Sequence, residues 1–120
     1  HGFSKLLETI ELVADHVNPG LRLLGVVLCM YESSTRLAGE IGRDVGAFLG
    51  GSGGSGGHPA WREARLFETR IRRNIRLAEA PSFGQSIFDY APESNGAEDY
   101  AALAEEVDRA AATGLVRRVA

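Results

Sequence analysis

Six arginines, Arg62, Arg65, Arg70, Arg72, Arg73 and Arg76, fall within fifteen positions of this 120-residue chain, and no lysine or arginine occurs from Leu77 through Asp108. A planar guanidinium presents a fork of donors that matches phosphate oxygens, so the cluster is a candidate grip on a nucleic-acid backbone or a nucleotide. Acids lie within reach: Glu63, Glu68 and Glu79 beside the arginines, and a carboxylate-rich helix towards the carboxy terminus. Pairing on a solvated surface is therefore the default reading of the same residues.

Other chemistries find less support. Asp89, Glu93, Glu98 and Asp99 form an acidic group, but Ser94 to Gly96 reads as a turn into a capped helix, which favours capping over paired-carboxylate catalysis. His1, His16 and His58 are too far apart for metal-ligand spacing or a general-base constellation, so no metal site and no catalytic residue is expected. Lys5 is the only lysine, and nothing around it matches the G-x-x-x-x-G-K-[ST] phosphate loop. The run "GGSGGSGG", Gly50 to Gly57, matches G-x-G-x-x-G and G-x-S-x-G in letters only, because neither match lies between a strand and a following helix. Cys29, the single cysteine, excludes an internal disulfide, fits a reducing cytoplasm and reads as core filling. The net charge of −3 argues against a wholly basic nucleic-acid coat while leaving room for a local patch. Apolar runs all fall short of the ~20 residues needed to cross a bilayer, so no membrane segment is expected.

The elements that must position these residues follow from apolar spacing. Leu6, Leu7, Ile10, Val13 and Val17 recur at helical intervals between Phe3 and Val17, and Asn18-Pro19-Gly20 stops that helix. "LRLLGVVLCM", Leu21 to Met30, is nearly continuous in apolar residues, the pattern of a central strand covered on both faces. Leu37, Ile41, Val45 and Phe48 define a second helix ending near Leu49. "RLFETRI", Arg65 to Ile71, is a short strand, and a helical turn through Ile75, Leu77 and Ala78 closes at Pro81. After an irregular segment, Asn95 caps a last helix with Glu98 three residues on; Tyr100, Leu103, Ala104, Val107 and Ala111 are its buried stripe, and Gly114 ends it. This is an α/β layer order with two strands, too few for a self-sufficient parallel sheet, so part of a domain is expected. Residues 1–49 and 59–114 are read as two parts of that domain, 50–58 as a Gly/Ser linker or loop insertion, and 115–120 as a tail. The start at His1 rather than methionine fits a piece of something longer.

Three stretches taken in order, "GFSKLLETIELV", "NPGLRLLGVVLCMYESSTRL" and "RNIRLAEAPSFGQSIFDYAPESNGAEDYAALAEEV", resemble the carboxy-terminal half of ParA/Soj-type partitioning ATPases. The specific part is "RNxRLxEAPSxG" followed by "YxPxSxGAExY". The resemblance implies the carboxy-terminal half of a Rossmann-like P-loop NTPase, a parallel sheet with flanking helices. It implies a parent that binds ATP and Mg, dimerises around ATP, binds DNA nonspecifically, responds to a ParB-type partner and sits in the cytoplasm on the nucleoid. The phosphate loop and magnesium-binding residues of such a parent would precede this region, so this chain alone is expected to bind no cofactor and hydrolyse no ATP. Residue by residue, the resemblance assigns DNA contact to Arg76 within "NxRL". Relatives carry another arginine where Ser34 stands, which leaves Arg36, two positions on, as the substitute contact. The relatives' "IPRN" is here Ile71-Arg72-Arg73-Asn74: Arg73 and Asn74 match at the nucleotide base edge, and Arg72, in place of proline, either adds a phosphate contact or alters the base-edge geometry. Two alternatives stand beside this: a non-enzymatic DNA- or partner-binding module, either a remnant or a dominant-negative partner of an intact ATPase, and a MinD-like membrane-associated fragment. The second would need a bulky, basic amphipathic tail, for which "TGLVRRVA" is short.

Overall fold

A computed structural model of the chain describes residues 2–32, 36–51 and 58–113. Ser34, most of the glycine-rich run and the tail from 114 lie outside the described residues. The elements are α1 (Gly2–His16), β1 (Gly25–Tyr31), α2 (Arg36–Gly51), β2 (Arg65–Arg72), α3 (Ile75–Glu79), a 3-10 turn (Ala80–Phe83), α4 (Ile87–Tyr90) and α5 (Asn95–Thr113). β1 and β2 pair as a two-stranded parallel sheet with helices flanking it, so the α/β expectation holds. The described residues group into two compact units, one drawn from His1–Val26 and Gly39–Leu66, the other from Val27–Ala38 and Phe67–Ala120. No described helix is long and apolar enough to cross a membrane.

The first unit is organised around Leu7, which is only 2% exposed, with Val45, Leu49, Trp61 and Ala64. Phe3, Ile10, Leu23, Val26 and Leu66 pack against this cluster. The face that α1 buries is therefore Phe3, Leu7, Ile10 and Ala14, whereas Leu6, Val13 and Val17 of the expected stripe are exposed. Phe3 and Ala14 extend the i, i+3, i+4 series of Leu7 and Ile10 as regularly as Leu6 and Val13 do, and the partner decides between the two series. Polar bonds hold the turn before β2 against α1: Trp61 Nε1 donates to Glu11 Oε2 at 2.7 Å, and His58 Nε2 lies 3.0 Å from Asp15 Oδ1. The Ala60 amide donates to His58 Nδ1 at 2.9 Å, which leaves Nε2 to carry the proton towards Asp15.

Helix α2 runs two residues past Leu49 into the glycine run; Val45 and Leu49 are buried, while Ile41 is exposed. β1 starts at Gly25 rather than Leu21. Its upstream residues are held in a local turn, where Arg22 Nη1 donates to the Pro19 and Leu21 carbonyls and the Leu23 amide donates to Ala60 O. The strand is half-buried rather than covered on both faces, and Cys29 and Met30 are exposed, so Cys29 does not fill a core. The physical reason is the sheet: β2 is the only strand paired with β1 among the described residues.

In the second unit, Phe67 and Ile71 of β2 are buried on one face, as an alternating strand requires. Pro81 does not close the helical turn after α3; it sits in the first turn of the 3-10 segment, where its missing N–H costs nothing. Gly84, at φ 66°, ends that segment, and Ser86 Oγ accepts from the Asp89 amide to open α4, so the stretch expected to be irregular holds two short helical pieces. The cap of α5 is Ser94, not Asn95: its hydroxyl donates to Ala91 O at 2.7 Å and accepts from the Ala97 amide at 3.1 Å. The face that α5 buries includes Gly96, Ala97, Asp99 and Ala110, and Tyr100 and Ala104 are exposed.

A Cβ placed on Gly96 would lie 2.6 Å from Leu77 Cγ, so α5 and α3 approach too closely for a larger residue. Gly96→Ala is expected to lower stability, because overpacking costs about 1–3 kcal/mol and exceeds the gain of up to ~1 kcal/mol in helix propensity. Gly2→Ala, with nothing within 4 Å of the added atom, is the control and should leave the urea midpoint unchanged or slightly raised.

Candidate functional site

The arginine cluster continues from β2 into α3, and the structure separates its members. Arg72 turns to α5: its amide donates to Asp99 Oδ2 at 2.9 Å, its Nε lies 3.0 Å from the same oxygen, and its Nη2 donates to Asp99 Oδ1 at 2.9 Å. The same Nη2 reaches Glu98 Oε1 at 3.0 Å. Asp99 is 7% exposed, and this forked pairing accounts for a charge in that position. Burial pushes the Asp99 carboxyl up, but the Arg72 side-chain and amide bonds outweigh it and hold the group below the usual carboxylate range. Asp99 is therefore a strand anchor and not a helix cap. Two turns further along α5, Glu106 accepts from the Glu68 amide at 2.8 Å and the Thr69 amide at 3.0 Å. It too is held low, burial being outweighed by a hydrogen bond from the Thr69 side chain, by the two amide bonds and by the charge of Arg109.

Arg73 and Asn74 follow immediately. Arg73 is exposed, its amide extends the strand pairing to Tyr31 O at 3.2 Å, and its Nε lies 3.7 Å from Glu32 Oε1. Asn74 is the N-cap of α3, with Oδ1 accepting from the Arg76 amide at 3.1 Å. Arg72, Arg73 and Asn74 line a cavity of about 460 Å³ with Met30, Ile71, Leu77 and Tyr100. Met30 there has φ 52°, a left-handed conformation that costs a non-glycine residue roughly 1–2 kcal/mol. Strain of this kind at a cavity wall is a common mark of a binding site.

Arg76 lines a separate shallow cleft with Tyr90, Pro92, Glu93 and Ser94. Its Nη1 donates to Glu79 Oε1 at 3.0 Å, and the Tyr90 hydroxyl donates to the same oxygen at 2.7 Å. Tyr90 stacks on Phe83, with ring centroids 5.2 Å apart. Arg70 bonds the Phe67 and Glu68 carbonyls and lies over the Tyr31 ring, so it belongs to the strand. Arg36 is exposed at the start of α2 and lines neither the cavity nor the cleft. Among the described residues no group of three or more His, Cys, Asp or Glu side chains could hold a metal ion.

The surface-pairing reading of the arginines is thus realised at Arg72 with Glu98 and Asp99, at Arg73 with Glu32, and at Arg76 with Glu79. Apolar patterning missed Asp99, Glu106 and Tyr90. The available signal was the spacing of Asp99 and Glu106, seven residues and two helical turns apart on one face of α5.

No family model matches the chain. It is 43% identical over 106 residues, 88% of its length, to the chromosome-partitioning ATPase Soj of Thermus thermophilus. It is 38% identical over the same length to the sporulation initiation inhibitor protein Soj of Bacillus subtilis, and 34% to the chromosome partitioning protein ParA of Myxococcus xanthus. The chain is a Soj/ParA homologue. It spans 37% of the length of the two Soj proteins and 33% of the ParA protein. The Soj/ParA-like segment "RNIRLAEAPSFG" therefore has a structural account in this chain: it leaves β2, caps and forms α3, and turns through the 3-10 segment to Gly84.

Asp99 and Glu106 both titrate lower folded than unfolded, so their contribution is complete above the ordinary carboxylate range, about pH 4, and is lost as pH falls through their folded values. Acid unfolding followed by circular dichroism should be less steep in Asp99→Asn and in Glu106→Gln. At neutral pH, Asp99→Ala should cost about 1–3 kcal/mol, the range for stranding a strand amide without its acceptor, and Glu98→Ala should cost less.

Proposed function

We propose that this chain is part of a ParA-type ATPase acting in chromosome or plasmid partitioning. In this reading, ATP-dependent dimerisation presents arginines to DNA phosphates without regard to sequence, and a ParB-type protein is the partner. The observation that carries it is the exposed Arg76 guanidinium on a capped helix, within a segment homologous to Soj and ParA over 88% of the chain. Arg76 is the principal phosphate contact. Arg36 is a second, reached from the start of α2, and Arg72 adds least because most of its donors are engaged by α5.

The cavity beside Arg73 and Asn74 fits the base of the nucleotide. It has the size of a small-molecule site, apolar walls from Met30, Ile71 and Leu77, and the Tyr100 ring. Asn74 uses its side-chain oxygen on the Arg76 amide, which turns its NH2 group to the role of donor at the base edge. The residues present do not supply a lysine-bearing phosphate loop, and the described ones supply no carboxylate cluster for Mg. Those parts belong to the remainder of the proposed parent, together with its placement on the nucleoid. DNA then supplies a charged lattice on which binding follows nucleotide state.

The test is DNA binding by the intact parent that carries this region, over a salt series, with and without ATP and Mg. The expected result is affinity that falls steeply with salt, and in Arg76→Ala weaker binding with a log–log salt slope smaller by about 1. Affinity unchanged by Arg76→Ala overturns the assignment of Arg76. Salt-sensitive binding that ignores nucleotide identifies the non-enzymatic module instead.

A further inference from the structure

Glu79 Oε1 receives two donors, Arg76 Nη1 at 3.0 Å and the Tyr90 hydroxyl at 2.7 Å, and the Tyr90 hydroxyl also lies within reach of the Arg76 guanidinium. The tyrosine comes from eleven residues away, on α4, and is held by two independent constraints. Ser86 caps the helix that carries it, and its ring stacks on Phe83 at an interplanar angle of 19°. A helix-stabilising i, i+3 pair between Arg76 and Glu79 requires no third member, and the third member here is the shorter bond. Arg76 is half-exposed and lines the open cleft, so a phosphate can reach the same guanidinium that Glu79 holds. The two anions compete for one fork of donors.

We propose that Glu79 and Tyr90 are positioning residues that set how strongly Arg76 binds a phosphate: Glu79 competes with the phosphate for the guanidinium, and Tyr90 shares the carboxylate oxygen that would otherwise serve Arg76 alone. With the hydroxyl bonded to Oε1, Glu79 keeps a partner when Arg76 turns outward, and the exchange strands no acceptor. The proton stays on Tyr90 throughout. The carboxylate raises the tyrosine above its ordinary range, and the Tyr90 hydroxyl, more than Arg76, holds Glu79 below its own. Glu93 also lines the cleft and adds negative charge, but no bond joins it to this group, so it repels phosphate without taking part in the exchange.

This inference rests on the phosphate-binding reading of Arg76, and it predicts effects of opposite sign at two residues that touch one oxygen. In the intact parent, with ATP and Mg present, Glu79→Gln should raise DNA affinity and Tyr90→Phe should lower it. Each change should be about two- to fivefold at low salt, the scale an exposed ion pair supplies. In the Glu79→Gln background, Tyr90→Phe should have no further effect, because the charge it manages is gone. The Tyr90→Phe variant keeps the ring that stacks on Phe83, and equal thermal midpoints establish that the variants are folded. Three results overturn the proposal: the same sign for both single variants, no change in either, or a Tyr90→Phe effect that persists in the Glu79→Gln background. Arg76→Ala in the same assay separates the two levels: if it leaves affinity unchanged, the phosphate-binding reading itself fails, and if it weakens binding while the cycle fails, only the positioning role is lost.

Discussion

The bonds from α5 to β2 are the constraint on which the candidate site depends. Asp99 takes the Arg72 amide and its guanidinium, and Glu106 takes the amides of Glu68 and Thr69, so two carboxylates on one helix face accept three strand amides. A strand in a two-stranded sheet has backbone donors to satisfy, and these side chains act where a further strand would. Arg73, Asn74 and α3 follow β2 without a break, so their direction is inherited from the residue that Asp99 anchors. Gly96 lets α5 approach Leu77 from the other side, which fixes α3 between a strand end and a helix start.

That arrangement divides the arginines by role. Arg72 lies where the strand meets α5, and its charge is matched by Glu98 and Asp99. Arg73 and Arg76 come one and four residues later, past the end of the strand, where the chain turns outward and their guanidinium groups are exposed. Four residues of sequence thus separate a structural cation from one that a ligand can reach. The local balance is close to neutral, because each of these arginines has a carboxylate near it, so any anion drawn to this surface must displace an internal one. The exposed pairs of Arg73 and Arg76 are weak, which makes displacement there easy and the surface tunable by neighbours such as Tyr90.

Much of the fold was legible in one dimension. The helix over Phe3 to Val17, the strand at Arg65 to Ile71 and the long last helix all follow from apolar spacing, and the structure has the bounds of each within one residue. The rotation of the helices was not legible. Leu6 and Leu7 both satisfy a helical stripe, and only Trp61, Val45 and Leu49 arriving from elsewhere select Leu7. On α5 an apolar count turned Tyr100 inward and left the acids outside, because a buried carboxylate looks unfavourable until its donors are known. Those donors are strand amides, which have no letter in a sequence.

By itself the sequence determined the α/β order, the absence of a phosphate loop around its single lysine, the density of arginines before Leu77 and a resemblance to Soj and ParA proteins over 88% of the chain. Composition and the order of residues along the chain carry these, since none depends on which residues meet in space. The tertiary structure decided which arginine is an anchor and which is presented, that Asn74 caps α3, that Ser94 caps α5, and that Tyr90 and Arg76 share Glu79. Each of these depends on the geometry with which an acceptor meets its donor, and for Arg72 and Asp99, 27 residues apart, only the folded chain brings the two within hydrogen-bond distance.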